Sequence, residues 1–470
     1  MAVALSAAFA TGLALVSTPV HAADPPSEGE WSAPFDLGGV AIHATLTHTG
    51  DVLFFQYVEG KAGVDHTSYV GTWNWQTGAI TKADLPYSRD FFCSAHVVLA
   101  NGDVFVAGGH DHDSLKKQDG RGVAETDTWD PDTRTWTARA LLSEKRWYPT
   151  TVGVPSRAAL TFGGQVVSGT KSLSVDSYDA ATDTMTQLPN TATKLVGNYP
   201  RMMAMANGKV LQLARKSNYF NPVTNTWAAA GAMAASRARG NVVVLDRATK
   251  ALAFGGDGAN GVPAASAELY DTTAATPKWT AVAPMNHGRT SHNAVVLPDG
   301  TVLAIGGGAK WKYTGPVFVP ELYDPATNSW TDLAPQQGAR MYHSSALLLP
   351  DGRVFSAGQD SGTLMRTAEI FSPPYLFRGP RPVIDSAPGQ STYGEQLTIA
   401  TSGAADIASV ALVRSGSVTH GINTDQRHIA LDFTQDATTG TVTATAPPDA
   451  NVAPAGYYLL FVVNSDGVPS

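Results

Sequence analysis

Residues 104–109 read VFVAGG, a short apolar run closed by a glycine pair, and the pattern returns along the whole chain. Its copies are ALTFGG at 159–164, VLQLAR at 210–215, ALAFGG at 251–256, VLAIGG at 302–307 and VFSAGQ at 354–359, with VLFFQY at 52–57 as a degenerate first member. Aligned on Gln56, Gly108, Gly163, Ala214, Gly255, Gly306 and Gly358, the copies are 52, 55, 51, 41, 51 and 52 residues apart. Between them lie Asp-x-x-Thr-x-x-Trp stretches at 130–136 and 324–330, a looser one at 221–227, and Trp75 and Trp279 in similar places.

A period of about 50 residues with a Gly pair and a later Trp is the kelch pattern, in which each repeat is one four-stranded blade. Seven copies predict an all-β chain whose main body, residues 23–378, is a seven-bladed kelch-type β-propeller. The Gly pairs suit tight turns beside a crowded axis, and each Trp buries a large area between blades, worth about 2–3 kcal/mol. Beyond the Pro-rich stretch at 372–382, alternating strands without Gly pairs (LTIATS, SVALVRS, GTVTATA, YYLLFVV) predict an immunoglobulin-like β-sandwich over 379–470. Its last residues, NSDGVPS, read as the approach to a further strand, so a truncated C-terminus is expected.

Composition narrows the functional classes. The 470 residues carry 45 Gly, 29 Pro and a net charge of −8 without any basic run, which argues against nucleic acid or an anionic membrane as partner. Residues 1–22 combine a small-residue apolar core with VHA before Ala23, the layout of a cleaved export signal, though with no basic residue ahead of it. A secreted protein, extracellular or periplasmic, is therefore expected, acting as a monomer on small molecules. Cys93 is the single cysteine, an odd count that needs a reason in an oxidising compartment.

The segment 338–352, GARMYHSSALLLPDG, sets Tyr342 and His343 just ahead of a strand, and its Asp-Gly pair predicts a type I′ hairpin. Adjacent strand residues point to opposite faces, so both side chains serve one site only if the backbone there is irregular. Fifteen residues before each repeat's glycine position stand Cys93, Tyr148, Tyr199, Gly240, Ser291 and His343. Equal phase in a propeller means one height around the axis, so the thiol, the phenols and the imidazole form one ring. Phenolates and imidazole without clustered thiols or carboxylates suit Cu(II) better than Zn, Mg or Ca. His420, in the loop SVTHGINTDQR, is the best second imidazole, while His96, His110 and His292 also fall near the ring.

At these residues the chain resembles the copper radical oxidases, the family of galactose oxidase and glyoxal oxidase. The wording is densest in RDFFCSAH, RWYP, ARMYHSSALLLPDGRVFSAG, VALVRSGSVTHGINTDQR and PAGYYLLFVVNSDGVPS. The resemblance implies one copper per chain, held by Tyr148, Tyr342, His343 and His420, with Cys93 joined to Tyr148 by a thioether that carries a radical. It implies two-electron oxidation of a primary alcohol or small aldehyde, including carbohydrate alcohols, with O2 leaving as H2O2. Tyr342 would accept the substrate's hydroxyl proton. Two departures stand out: the family's stacking Trp falls here on Val166, leaving Trp147 or another aromatic to replace it, and Trp311 stands where a substrate-facing Phe is usual. The competing reading is a catalytically silent kelch protein that binds glycans, which gives no reason for the full set of Cys93, Tyr148, Tyr342, His343 and His420.

Overall fold

Several of the hairpins ahead of the recurring apolar runs turn on one device. Gly352 N–H donates to the Leu349 carbonyl at 3.0 Å, and Leu349 N–H donates to the Arg353 carbonyl at 2.8 Å. Within that turn only Gly352 has positive φ, 81°. This is a type I turn closed by a left-handed glycine, not the expected type I′ turn. Pro350 is the physical reason: its ring holds φ negative at the first central position, where type I′ needs it positive. The turns ending at Gly102 and Gly300 repeat the glycine bond at 3.0 and 2.9 Å.

The structure, a computed structural model, describes residues 24–58, 67–111, 121–258, 261–310, 313–360 and 365–470. The expected leader at 1–22 and Trp311 lie outside the described residues.

Four-stranded antiparallel sheets follow one another in chain order. One comprises Ala95–Val98, Val104–Ala107, Thr126–Asp130 and Thr135–Arg139, and the same plan opens again at Thr150–Val154, Arg201–Ala204, Asn241–Leu245 and Asn293–Val296. A further sheet, Ser344–Leu348, Val354–Gly358 and Thr367–Ser372, is completed by Glu30–Trp31 and Phe35–Asp36 from the other end of the described chain. The remaining large sheet runs through His43–Leu46, Asp51–Val58, Ser68–Asn74 and Ile80–Lys82. Its inner edge takes an extra strand, Ser417–Thr419, in the register His43↔Thr419.

Every sheet shares a buried apolar cluster with the next, and the first shares one with the last through Ala44, Phe54, Trp73, Leu347 and Phe355. Trp136 and Trp330 sit in such clusters with their indole N–H donating to the Ala83 and Ala283 carbonyls. The Gly pairs permit the packing beside the inner strands. Gly306 has φ 67°, and a Cβ there would lie 2.2 Å from the Arg340 carbonyl oxygen.

A second recurring device escaped the sequence reading. A buried arginine ahead of an inner strand pairs with a carboxylate on the third strand of the same sheet. The pairs are Arg146–Asp176 at 2.9 Å, Arg237–Glu268 at 2.8 Å, Arg289–Glu321 at 2.6 Å and Arg340–Glu369 at 3.0 Å, with Arg89–Asp127 a looser relative at 3.2 Å. Each guanidinium of the first four also bonds carbonyls of its own sheet, as Arg289 does to Gly306 and Val319, so the buried charge is solvated by fixed dipoles. These braces fix the loops that precede the inner strands.

Beyond residue 380, Gln396–Ala400, Phe433–Asp436 and Thr441–Thr445 form one three-stranded sheet, and Ile407–Arg414, His428–Leu431 and Tyr458–Asn464 another. Both line one core of Ile399, Val410, Ile429, Val442 and Val462. Among the described residues no helix is long and apolar enough to cross a membrane.

Candidate metal centre

Six inner strands are entered through a non-glycine residue with left-handed backbone: Cys93 (φ 57°), Tyr148 (62°), Tyr199 (41°), Arg239 (54°), Ser291 (55°) and His343 (67°). Five of these are the equal-phase residues of the sequence; in the shortest repeat the position falls on Arg239, one before the expected Gly240. Such a conformation costs about 1–2 kcal/mol for a residue with a Cβ, and here it recurs at the entrance to six successive sheets. It is also the irregularity that lets Tyr342 and His343, neighbours in sequence, put their rings 4.1 Å apart. Backbone bonds tie the entrances together: Tyr148 N–H donates to the Cys93 carbonyl at 3.0 Å, and Tyr199 N–H to that of Tyr148 at 2.7 Å.

His420 arrives from the far end of the chain. The strand Ser417–Thr419, paired with His43–Leu46, carries it inward, and a left-handed turn (φ 53°) presents its ring. The ligand atoms of Cys93, His343 and His420 all lie within 4.8 Å of one another, and each residue is buried. Cys93 Sγ is 3.5 Å from His420 Nε2. The His343 and His420 rings are 4.5 Å apart edge to face, with Tyr342 5.1 Å and Tyr148 5.7 Å from His420. The structure thus brings together all five residues singled out in the sequence, Cys93, Tyr148, Tyr342, His343 and His420.

Neighbours orient both imidazoles. Thr419 Oγ1 lies 2.6 Å from His420 Nδ1, and Asp360 Oδ2 lies 2.7 Å from His343 Nδ1. Nε2 is therefore the nitrogen each ring has for a metal, and the Asp360–His343 pair is the carboxylate–histidine arrangement that fixes tautomer and raises basicity. Tyr313 O–H donates to the other Asp360 oxygen at 2.6 Å. Burial alone would raise the Asp360 pKa, but the bonds from His343 and Tyr313 hold it below the usual carboxylate value.

The phenols behave oppositely. Burial, then the nearby Cys93, pushes Tyr148 and Tyr342 above the ordinary tyrosine pKa, and Tyr199 goes the same way. Protein groups alone therefore keep these phenols protonated, and a bound cation would reverse that balance. Two imidazole nitrogens and ionisable phenols, with no carboxylate in the ligand cluster among the described residues, fit copper.

Val166 holds the expected Trp position, and it is Trp147 whose ring is stacked on Tyr148, at 4.3 Å and 29°. His110 packs against Trp147 at 4.5 Å. His96 lies 3.4 Å from the Ala44 carbonyl, and His292 is buried against Phe254, so neither joins the cluster. Sequence reading missed Asp360, Tyr313, Thr419 and His43, whose Nε2 accepts the Cys93 N–H at 3.2 Å. Tyr313 and His43 reach in from other repeats, where spacing carries no signal, while Asp360, in the same repeat as His343, and Thr419, next to His420, lie off the counted phase. A cavity of about 490 Å³ opens onto Tyr148, Tyr342 and His420.

Comparison with known proteins follows the same division of the chain. Residues 241–373 match the family model of the glyoxal oxidase N-terminus, and residues 381–470 match the galactose oxidase-like early set domain. Galactose oxidase of Gibberella zeae is 30% identical over 96% of this chain and 71% of its own length. The aldehyde oxidase GLOX of Vitis pseudoreticulata is 28% identical over 70% of this chain and 71% of its own. A fungal alcohol oxidase of the AA5 family, solved in complex with copper, superposes with a TM-score of 0.83 at 26% identity, covering 94% of this chain and 98% of that one.

Proposed function

The chain belongs to the galactose oxidase and glyoxal oxidase family of copper oxidoreductases, and we propose that it oxidises small aldehydes or primary alcohols at the Tyr148–Tyr342–His420 corner, passing two electrons to O2. The observation that carries this reading is the meeting of Cys93, Tyr148, Tyr342, His343 and His420 from three inner-strand entrances and one inserted strand. We also infer that the seven sheets are kelch blades closed in one ring ahead of a sandwich domain at 379–470. The apolar clusters shared by each neighbouring pair, last and first included, support that closure. The leader-like composition of residues 1–22 supports export.

In this reading His343 and His420 hold copper through Nε2, with Tyr148 and Tyr342 as phenol ligands. Copper supplies a Lewis acid for the substrate oxygen and stores one of the two oxidising equivalents. Tyr342 accepts the substrate's hydroxyl proton. Tyr148, joined to Cys93, stores the second equivalent and removes the hydrogen atom from the carbon. Trp147 covers the Tyr148 ring and keeps water from it. The cross-link itself forms when O2 takes two electrons and two protons from the Cys93 thiol and a Tyr148 ring C–H, giving a C–S bond and H2O2. Thr419 and Asp360 keep the two imidazoles in register throughout.

The test is copper loading in air. The denatured chain should then show no titratable thiol and a mass lower by two hydrogens, and the loaded protein should release peroxide from a panel of aldehydes and alcohols. Galactose should rank low on that panel, because Val166 stands where the family's stacking Trp falls. Cys93→Ser should keep copper and lose nearly all turnover. One free thiol per active chain would sink the cross-link, and copper binding that survives His420→Ala would sink the ligand set.

A further inference from the structure

The cavity beside the centre has a charge that the reaction described above does not use. Four arginines line it, Arg201, Arg215, Arg237 and Arg239, and no aspartate, glutamate or lysine does. Two are neutralised from behind: Arg237 pairs with Glu268 at 2.8 Å, and Arg239 pairs with Asp257. Arg215 is exposed at the rim. Arg201, two residues beyond Tyr199 and partly buried, donates Nε–H to the Gly240 carbonyl at 2.6 Å and has no carboxylate partner among the described residues. Asp257 is near enough for its field to reach Arg201, but its carboxylate is engaged by Arg239 and by the Thr290 hydroxyl at 2.7 Å. Among the described residues, two positive charges of the lining are thus left without a carboxylate partner.

This contrasts with the buried arginines of the braces, whereas Arg427, buried with no ion pair among the described residues, is solvated by the Asn451, Val452 and Ala204 carbonyls. The buried guanidiniums of Arg146, Arg237, Arg289 and Arg340 each have a carboxylate within 3.0 Å. Burying a guanidinium without one is costly unless something else solvates it. Burial and the charge of Arg239 lower its pKa to about 10, so it stays charged at neutral pH. Its planar fork matches a carboxylate in bidentate fashion, and the low-dielectric wall strengthens the pairing. Tyr342 is close enough for its charge to register on both Arg201 and Arg239, so a small anion held there lies beside the reacting corner.

We propose that Arg201, with Arg215 at the entrance, forms an anion subsite that selects substrates carrying a carboxylate, namely small oxo- or hydroxy-carboxylates, over their neutral analogues. The inference deepens the proposed oxidase reading and rests on it for the place of turnover. Arg201 is a binding residue here; the oxidation still proceeds at Tyr148 and Tyr342.

The test uses the copper-loaded protein and two probes that it does not oxidise, propionate and its neutral isostere propionamide, titrated by calorimetry. Propionate should bind at least about tenfold more tightly than propionamide, and that advantage should shrink as salt rises. Arg201→Gln should remove the advantage, while Arg201→Lys, which keeps the charge but not the fork, should restore part of it. Melting temperature and copper content, measured alongside, report whether each variant folds. Equal binding of the two probes, or a propionate advantage unchanged in a folded Arg201→Gln variant, would overturn the subsite; the second result would place propionate on the metal instead. Peroxide release from neutral aldehydes is measured separately, so failure of the oxidase reading and failure of the subsite give different results.

Discussion

Asp360→Asn tests how the centre is held. Asp360 Oδ2 lies 2.7 Å from His343 Nδ1, and Tyr313 O–H donates to Oδ1 at 2.6 Å, so both carboxylate oxygens are engaged. The charge fixes the Nδ1–H tautomer and makes Nε2 a stronger donor. Asparagine keeps the shape and one acceptor oxygen, but it loses the charge and can turn an N–H₂ toward the ring. Partners of this kind are worth about 10–100-fold in metal affinity, or about 1.4–2.8 kcal/mol. The copper dissociation constant, measured by competition with a chelator of known affinity, should rise by that factor. Tyr313→Phe, which removes a bond to the far oxygen and a longer contact with His343 Nδ1 at 3.2 Å but keeps the carboxylate, should raise it by less. The metal-free melting temperature should move little in either variant, separating loss of affinity from loss of fold. A dissociation constant unchanged within about twofold in Asp360→Asn would refute the argument that this carboxylate orients His343 for the metal.

Removing one partner of a buried brace should be severe: Arg289→Leu leaves Glu321 buried and unpaired, and denaturant unfolding should show a loss of about 3–5 kcal/mol. A loss under about 1 kcal/mol would show the pair behaving like a surface one. Burial lowers the His96 pKa from 6.5 to about 4. Above pH 6.5 the ring is neutral in both folded and unfolded chains, and as the pH falls toward 4 the unfolded chain binds the proton first. Stability should therefore decline over that window by about 3 kcal/mol from this residue. The decline should be shallower in His96→Leu, and equal slopes in metal-free wild type and variant would contradict the assignment.

Much of the site was legible in the sequence because the repeat carries its own ruler. Gly108, Gly163 and Gly358 mark where the second strand of a sheet ends, and counting back from them found Cys93, Tyr148 and His343. What the count could not supply was the backbone conformation, since nothing in a tyrosine or a histidine announces positive φ. That conformation is imposed by the crowded inner ends of the strands, and it decides where each side chain points. The Asp-Gly pair at 351–352 misled for a related reason: the turn type was set by Pro350, not by the glycine alone.

The sequence by itself determined the all-β class, the repeat, the residues able to ligate copper and the single thiol beside them. Such features are local: periodicity, turn chemistry and residue type act within one repeat. The tertiary structure alone decided that Trp147 stacks on Tyr148, that Asp360 and Thr419 orient the imidazoles, and that Arg201 faces the cavity with no carboxylate partner among the described residues. It also decided how His420 reaches the centre, by the strand Ser417–Thr419 joining the edge of His43–Leu46 more than 370 residues earlier in the chain. Contacts between separate repeats and between the two ends of the chain depend on how the sheets pack, and a linear sequence carries no register for that.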